Sequence, residues 1–247
     1  MERENLIYGF HSAQEAIRKR PRQINRIWVA DGPHSDRLRH ILAEARDHKI
    51  VVQSVERRAL DRLTGTRHHQ DIALEVSPYT YVDAEKLLED VPPDAVYCIL
   101  DEIQDVTNFA ALIRTAEGAG VRGIFIPERR SAAVTATTHR LSAGALEHMK
   151  IARVTNVARL IEQMQNKGIR IICADVTADR LWFEADYAPP LAILVGNEYK
   201  GVRRLLKEKS DEVVAIPMLG KVQSLNVNVA AAILLYEAIR RKKSRND

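Results

Sequence analysis

Three stretches of this 247-residue chain set polar side chains at points where apolar runs end. After AVYCILD (95–101) comes DEIQDVTNFAALIRTAEGAG (101–120). Asn108 lies near the start of its helical pattern and Arg114 almost two turns along. An asparagine there is commonly a cap. A guanidinium among Phe109, Leu112, Ile113 and Ala116 is costly unless it is paired or used, or unless its stem packs while its head reaches solvent. After LAILVG (191–196) comes GNEYKG (196–201), where Glu198 stands between Gly196 and Gly201. Those glycines permit tight turns and close approach of a ligand to the backbone. A phosphate loop needs Lys and Ser/Thr after the second glycine, but Val202 and Arg203 follow, so an NTPase is excluded. No G-x-G-x-x-G follows any strand-like run, which disfavours a dinucleotide enzyme. After EVVAIP (212–217) comes IPMLGKVQSLNVNVAAAILLYEAI (216–239). Ser224 is the expected N-cap of a helix apolar on most sides, and such a helix is deeply buried. One cap does not account for both Asn226 and Asn228 at its entry, so a polar pocket is expected there.

The elements that must hold these residues are legible as alternating patterns. Residues 1–76 read as a small α/β unit. Its strands are INRIWVA (24–30), IVVQSV (50–55) and DIALEV (71–76), and Ser35 to His48 has helical spacing at Leu38, Ile41, Leu42 and Ala45. A polar loop, TGTRHHQ (64–70), lies between its elements. Residues 77–94, with prolines at 78, 92 and 93, read as a linker. From residue 95 the strand candidates are AVYCILD, RGIFIP (122–127), KIARV (150–154), RIICAD (170–175), LAILVG and EVVAIP. These are continuous apolar runs, as expected when helices cover both sheet faces. Residues 95–247 are therefore expected to form a mostly parallel, doubly wound α/β sheet, with ligands at the carboxyl ends of its strands.

Composition narrows the class. With 46% hydrophobic and 28% charged residues the chain can bury a core. No signal peptide or bilayer-spanning run is visible, since the apolar stretch 227–239 is too short. Cys98 and Cys173 sit in apolar runs with neither zinc nor redox spacing, so buried free thiols and a cytoplasmic location are expected. The net charge of +4 permits RNA binding without requiring it. Six of eight histidines precede residue 77, near Arg18, Lys19, Arg20 and Arg22, and a basic run (Arg240, Arg241, Lys242, Lys243, Arg245) closes the chain. Such surfaces attract phosphate backbones, or are simply solvated faces.

In order and spacing, the three clusters resemble the SPOUT class of methyltransferases, specifically the SpoU/TrmH family of RNA ribose 2′-O-methyltransferases. The resemblance is carried by QDVTNFAALIRTAEGAG, ILVGNEYKG and IPMLGKVQSLNVNVAAAILLYE. YGFHSAQEAI (8–17), HHQDIA (68–73), SAGALEH (142–148) and VTN (154–156) resemble the branch that acts on guanosine of 23S ribosomal RNA. The likeness covers nearly the whole chain. It departs at Val106, where the family usually has proline, at Ala110 and Asp71, where glycine is usual, and at Asn228, where serine is common.

The resemblance implies a trefoil knot in the C-terminal part and a homodimer through that region. It implies S-adenosylmethionine as cosubstrate, with no metal, held by Leu194, Val195, Gly196, Ile216, Pro217, Met218, Ser224, Leu225 and Val227. It assigns catalysis to Asn108, Arg114, Glu198 and Asn226. Arginine is almost always protonated, so Arg114 is expected to stabilise phosphate and oxyanion charge rather than act as a base. Asn108 and Asn226 would orient Arg114 and the ribose, and Glu198 would hold Arg114 or the RNA. His11, Arg67, His68 and His69 are the candidate RNA contacts of the first part. A non-catalytic RNA-binding protein on the same fold, or a 2′-O-methyltransferase acting on tRNA, stands as the alternative.

Overall fold

The computed structural model describes residues 5–243 and divides into two compact units. The first runs to Thr80 and takes in Ala133–His148; the second comprises Tyr81–Ala132 and the chain from Met149 onward. In the first unit the order is β1 (Leu6–Tyr8), α1 (Phe10–Lys19), β2 (Ile24–Ala30), α2 (Asp36–Asp47), β3 (Val52–Val55), α3 (Arg57–Thr64) and β4 (Ile72–Val76). The sheet order is β1-β4-β2-β3, with β4 antiparallel to both neighbours and β2 parallel to β3. Strand residues alternate between two cores, as the period of two demands. Ile7, Ile27, Val29, Ile72 and Leu74 pack with Ile17, Leu38 and Ile41 of α1 and α2, whereas Leu6, Tyr8, Trp28 and Ala73 pack with Leu60 of α3. Ser35 caps α2 by accepting the Leu38 N–H at 3.2 Å, and the four spaced residues of that helix are all buried.

The second unit continues with α4 (Ala84–Leu87), β5 (Val96–Asp101), α5 (Val106–Gly118) and β6 (Gly123–Pro127). The chain then returns to the first unit as α6 (Ala136–Leu141) and a 3-10 turn (Ala145–His148), packed on β1 and α1. Back in the second unit come β7 (Ile151–Val154), α7 (Val157–Asn166), β8 (Arg170–Ala174), β9 (Leu191–Gly196), α8 (Arg204–Lys209), β10 (Glu212–Val214) and α9 (Val227–Lys243). All six strands are parallel, in the order β10-β8-β9-β5-β6-β7. Every residue of β5 and β9 is buried, which explains their unbroken apolar sequences. Of residues 77–94, expected as a linker, the part from Tyr81 onward is packed into the second unit: Val82 bridges to Ala152, and Leu87 and Leu88 join the second core.

The sheet changes direction between β5 and β9. The chain builds outward through β6 and β7, then restarts on the other side with β8. Crevices at such a switch point are where open parallel sheets bind ligands. Asp101 and Gly196 are register partners at the carboxyl ends of these two strands, so the segments after them meet at that crevice.

Candidate active site

Helix α5 begins where Asp105 accepts the Asn108 N–H at 2.7 Å, making Asp105 the cap and placing Asn108 in the first turn. The freed Asn108 side chain reaches across the switch point, where its Nδ2 donates to Glu198 Oε1 at 2.7 Å. Its Oδ1 accepts from Asn226 Nδ2 at 2.8 Å. Asn226 Oδ1 in turn accepts the Asn228 N–H at 2.9 Å. Asn226, not Ser224, therefore caps α9. Asn228 Oδ1 accepts from Thr115 Oγ1 at 2.7 Å, pinning α9 to α5. The expected polar pocket at the entry to α9 is thus a directional chain, Asn228–Asn226–Asn108–Glu198.

The turn carrying Glu198 is built tightly. Asn197 Oδ1 accepts the N–H groups of Tyr199 and Lys200, at 3.0 and 3.2 Å, and its Nδ2 donates to the Glu102 carbonyl. A Cβ on Gly196 would lie 2.3 Å from the backbone of Gly201 and Val202, so only glycine fits. Buried Asp101 accepts from Arg203 Nε at 2.9 Å and from its backbone N–H at 3.1 Å, tying the far end of the turn to β5. The Arg203–Asp101 hydrogen bond raises the guanidinium pKa further, which keeps this tie charged.

Arg114 stands apart from this chain. Six residues beyond Asn108, it lies about 9 Å along α5 and about a third of a turn around it. It is exposed and makes no hydrogen bond or ion pair among the described residues. Its head in solvent removes the burial cost, and Glu198 holds Asn108 rather than Arg114.

A cavity of about 360 Å³ opens beside Glu198, at the ends of β8, β9 and β10. Of the residues the resemblance assigned to the cosubstrate, Val195, Gly196, Ile216, Met218, Ser224, Leu225 and Val227 line it. Leu194 and Pro217 do not: Leu194 is fully buried inside β9, a strand position with no free face. Asp175, Thr177 and Lys207 line it as well and escaped sequence reasoning. The signal was present, since Asp175 ends the run RIICAD at a strand terminus. Its Oδ2 accepts from Lys207 Nζ at 2.7 Å, and its Oδ1 from Thr177 N and Oγ1 at 2.8 and 2.6 Å. Burial pushes this carboxyl up, but the hydrogen bonds from Lys207 and Thr177 outweigh it and hold the pKa below the ordinary aspartate value. The volume falls within the range for small-molecule sites. Among the described residues no group of three or more His, Cys, Asp or Glu is placed to hold a metal ion.

The four candidate RNA contacts of the first unit divide. His11 is exposed beside Arg37, and Arg67 and His68 are exposed. His69 is a correction: it is 0% exposed, with Nε2 2.9 Å from Asp61 Oδ1 and Nδ1 accepting the Asp71 N–H at 2.9 Å. It shapes the 66–71 loop from beneath. Gln70 and Asp71 there have φ of 55° and 61°. The basic clusters are partly neutralised. Arg18 pairs with Glu44, Arg20 with Glu147, Arg240 and Arg241 with Glu237, and Lys242 with Asp94. Arg245 lies outside the described residues, as does the side chain of Lys243. Cys98 and Cys173 are buried and free, and burial pushes both thiols up to about 12. No helix among the described residues is long and apolar enough to cross a membrane.

Comparison with known proteins gives matches to both parts of the chain. Residues 95–236 match the model of the SpoU rRNA methylase family, and residues 6–82 match that for RNA 2′-O ribose methyltransferase substrate binding. A TrmH family tRNA/rRNA methyltransferase of Bacillus subtilis is 35% identical over 98% of this chain and 97% of its own length. The 23S rRNA (guanosine-2′-O-)-methyltransferase RlmB of Pseudomonas putida is 34% identical over 98% and 99%. Among solved structures, the SpoU methyltransferase AviRb of Streptomyces viridochromogenes, in complex with AdoMet, superposes with a TM-score of 0.83. It is 23% identical, covering 97% of this chain and 90% of that one.

Proposed function

The chain belongs to the SpoU rRNA methylase family, and we propose that it transfers the methyl group of S-adenosylmethionine to a ribose 2′-hydroxyl of structured RNA, a guanosine of 23S ribosomal RNA. The observation that carries this reading is the double membership of Glu198. It lines the cavity assigned to the cosubstrate and also ends the amide chain from Asn226 and Asn108. One short turn thus couples a donor site to a set of groups that can orient a hydroxyl.

The sulfonium supplies a reactive methyl carbon, so no metal activation is needed. The harder task belongs to the protein, because a ribose hydroxyl is hardly ionised near neutral pH. Asn108 and Asn226 orient the sugar, with their own positions fixed by Glu198 and by the caps of α5 and α9. Arg114 anchors the adjacent phosphate and stabilises negative charge developing on the oxygen. As the O–CH3 bond forms, the S–CH3 bond breaks and its electron pair stays on sulfur. The hydroxyl proton leaves to solvent, and the products are methylated RNA and S-adenosylhomocysteine.

The first unit is the RNA-binding part, through His11, Arg67 and His68, and the second the methyltransferase part. The loops around Leu194–Gly196, Ile216–Met218 and Ser224–Val229 form a trefoil knot, one of the few exceptions to unknotted folding. Two copies associate through the outer face of α9, where Val229 and Tyr236 are exposed. The chain works in the cytoplasm. Calorimetry with S-adenosylmethionine should give a one-site isotherm, and mapping of 2′-O-methylation with and without the gene should lose one site in 23S ribosomal RNA. No heat would favour a binding protein without catalysis. A site lost from transfer RNA instead would fit the broader tRNA/rRNA description carried by the Bacillus subtilis relative.

A further inference from the structure

The cavity beside Glu198 holds one feature that methyl transfer does not use. Asp175 is the first residue past β8, and its side chain is 8% exposed. Lys207, from α8, is 30% exposed and lines the same cavity. A carboxylate offers about four acceptor positions and an ammonium three donors. On Asp175, three positions are taken, two by Thr177 and one by Lys207. On Lys207, one donor is taken by Asp175. The pair therefore keeps one acceptor and two donors, while at 2.7 Å its charges largely cancel each other.

We propose that Asp175 and Lys207 clamp the vicinal hydroxyls of the cosubstrate's ribose, one hydroxyl donating to Asp175 and the other accepting from Lys207. This rests on the cosubstrate reading above. An uncharged diol fits a pair with no net charge and this residual capacity. The amino-acid end of the ligand fits less well, because an ammonium brings three donors to a single remaining acceptor. An acidic side chain just past a parallel strand is also a recurrent partner of ribose hydroxyls. The backbone allows the approach: a Cβ on Gly201 would sit 3.9 Å from Asp175 Oδ2. Among the other walls, Gly196, Ile216 and Met218 offer backbone and apolar surface, whereas Glu198, Lys200, Gln223 and Ser224 are polar, and Glu198 is already engaged by Asn108. This side-chain pair is thus placed to tell a ribonucleoside from its deoxy counterpart.

The test is equilibrium binding of 5′-methylthioadenosine and its 2′-deoxy and 3′-deoxy analogues to the full chain. The unaltered protein should bind at least one deoxy analogue about tenfold more weakly, as expected when a buried charged partner loses its hydrogen bond. Of Lys207→Met and Asp175→Asn, the variant that removes the partner of the missing hydroxyl should bring that gap below about twofold, while binding of the deoxy analogue itself persists and reports intact folding. A gap that survives in both variants overturns the proposal. So does an Asp175→Asn variant that weakens S-adenosylhomocysteine but not 5′-methylthioadenosine, which would assign the pair to the amino-acid end. If the unaltered protein binds S-adenosylhomocysteine but none of these nucleosides, the clamp is overturned alone; if it binds neither, the cosubstrate reading fails and takes the clamp with it.

Discussion

Arg114 tests the division of labour most directly, because it makes no hydrogen bond or ion pair among the described residues. Arg114→Ala should lower turnover by about a hundredfold or more if its charge stabilises the oxyanion. Affinity for S-adenosylmethionine and thermal stability should stay unchanged, since its head makes no hydrogen bond or ion pair among the described residues. Steady-state kinetics with calorimetry separates these outcomes, and a variant with full turnover would remove Arg114 from the chemistry. Two departures from the family pattern also acquire a physical meaning. Val106 is the first residue of α5, the position where proline costs no helix hydrogen bond. Asp105 is already extended, at φ −72° and ψ 122°, as a residue before proline must be. Val106→Pro should therefore stabilise the fold by about 0.4–1 kcal/mol, seen as a rise of a few degrees in melting temperature. Asp71 stands at φ 61°, the left-handed region that suits glycine and that aspartate tolerates.

Helix α6 and the turn after it show what an element owes to distant residues. Glu147 lies within hydrogen-bond distance of both Arg20 and His139, in a pair only 10% and 4% exposed at Arg20 and Glu147. Burial pushes the His139 pKa down, so in the folded state it is neutral at neutral pH. A base with a depressed folded pKa contributes stability that is complete above its unfolded value, about 6.5. That stability is lost as the pH falls toward the folded value, because unfolding then takes up a proton. Hydrogen exchange at the Ala136–Leu141 amides should accelerate, after correction for intrinsic rates, between pH 7.5 and 5.5. Unchanged protection would show that His139 carries its charge in the fold. Nothing local announces this arrangement. The strands of the second sheet were legible because burial on both faces leaves an unbroken apolar run. So was α2, whose spaced apolar residues face one core. Three-residue β1 is too short to show a period, and the return of 133–148 to the first unit involves contacts remote in sequence, among them an ion pair 127 residues apart. At the site, position at the strand ends drew attention to Asn108, Glu198 and Asn226, and the order and spacing shared with the SpoU/TrmH family assigned them to one site. Their hydrogen-bond partners, the cap at Asn226 and the Asp175–Lys207 pair are products of folding.

The whole molecule carries a modest excess of positive charge, much of it spent on internal ion pairs. RNA affinity should accordingly fall with salt along a shallow line, the logarithmic slope dropping by about 0.7–0.9 for each phosphate contacted. Removing Arg67 or Arg114 should each reduce that slope by about one contact. A slope unaffected by either would place the RNA elsewhere. Connectivity imposes a different constraint. The backbone passes between the two units at three places, near residues 80, 132 and 148, rather than along a single hinge strand. A gene cut once, after residue 80, would deliver a first unit whose Arg20 has lost Glu147, an error worth about 3–5 kcal/mol for a buried pair. A chimaera that replaces the first unit of this chain must therefore carry 133–148 along with it, and a protease nicking one crossing should leave the pieces bound as a complex. The first unit is inherited as two separate segments of one chain.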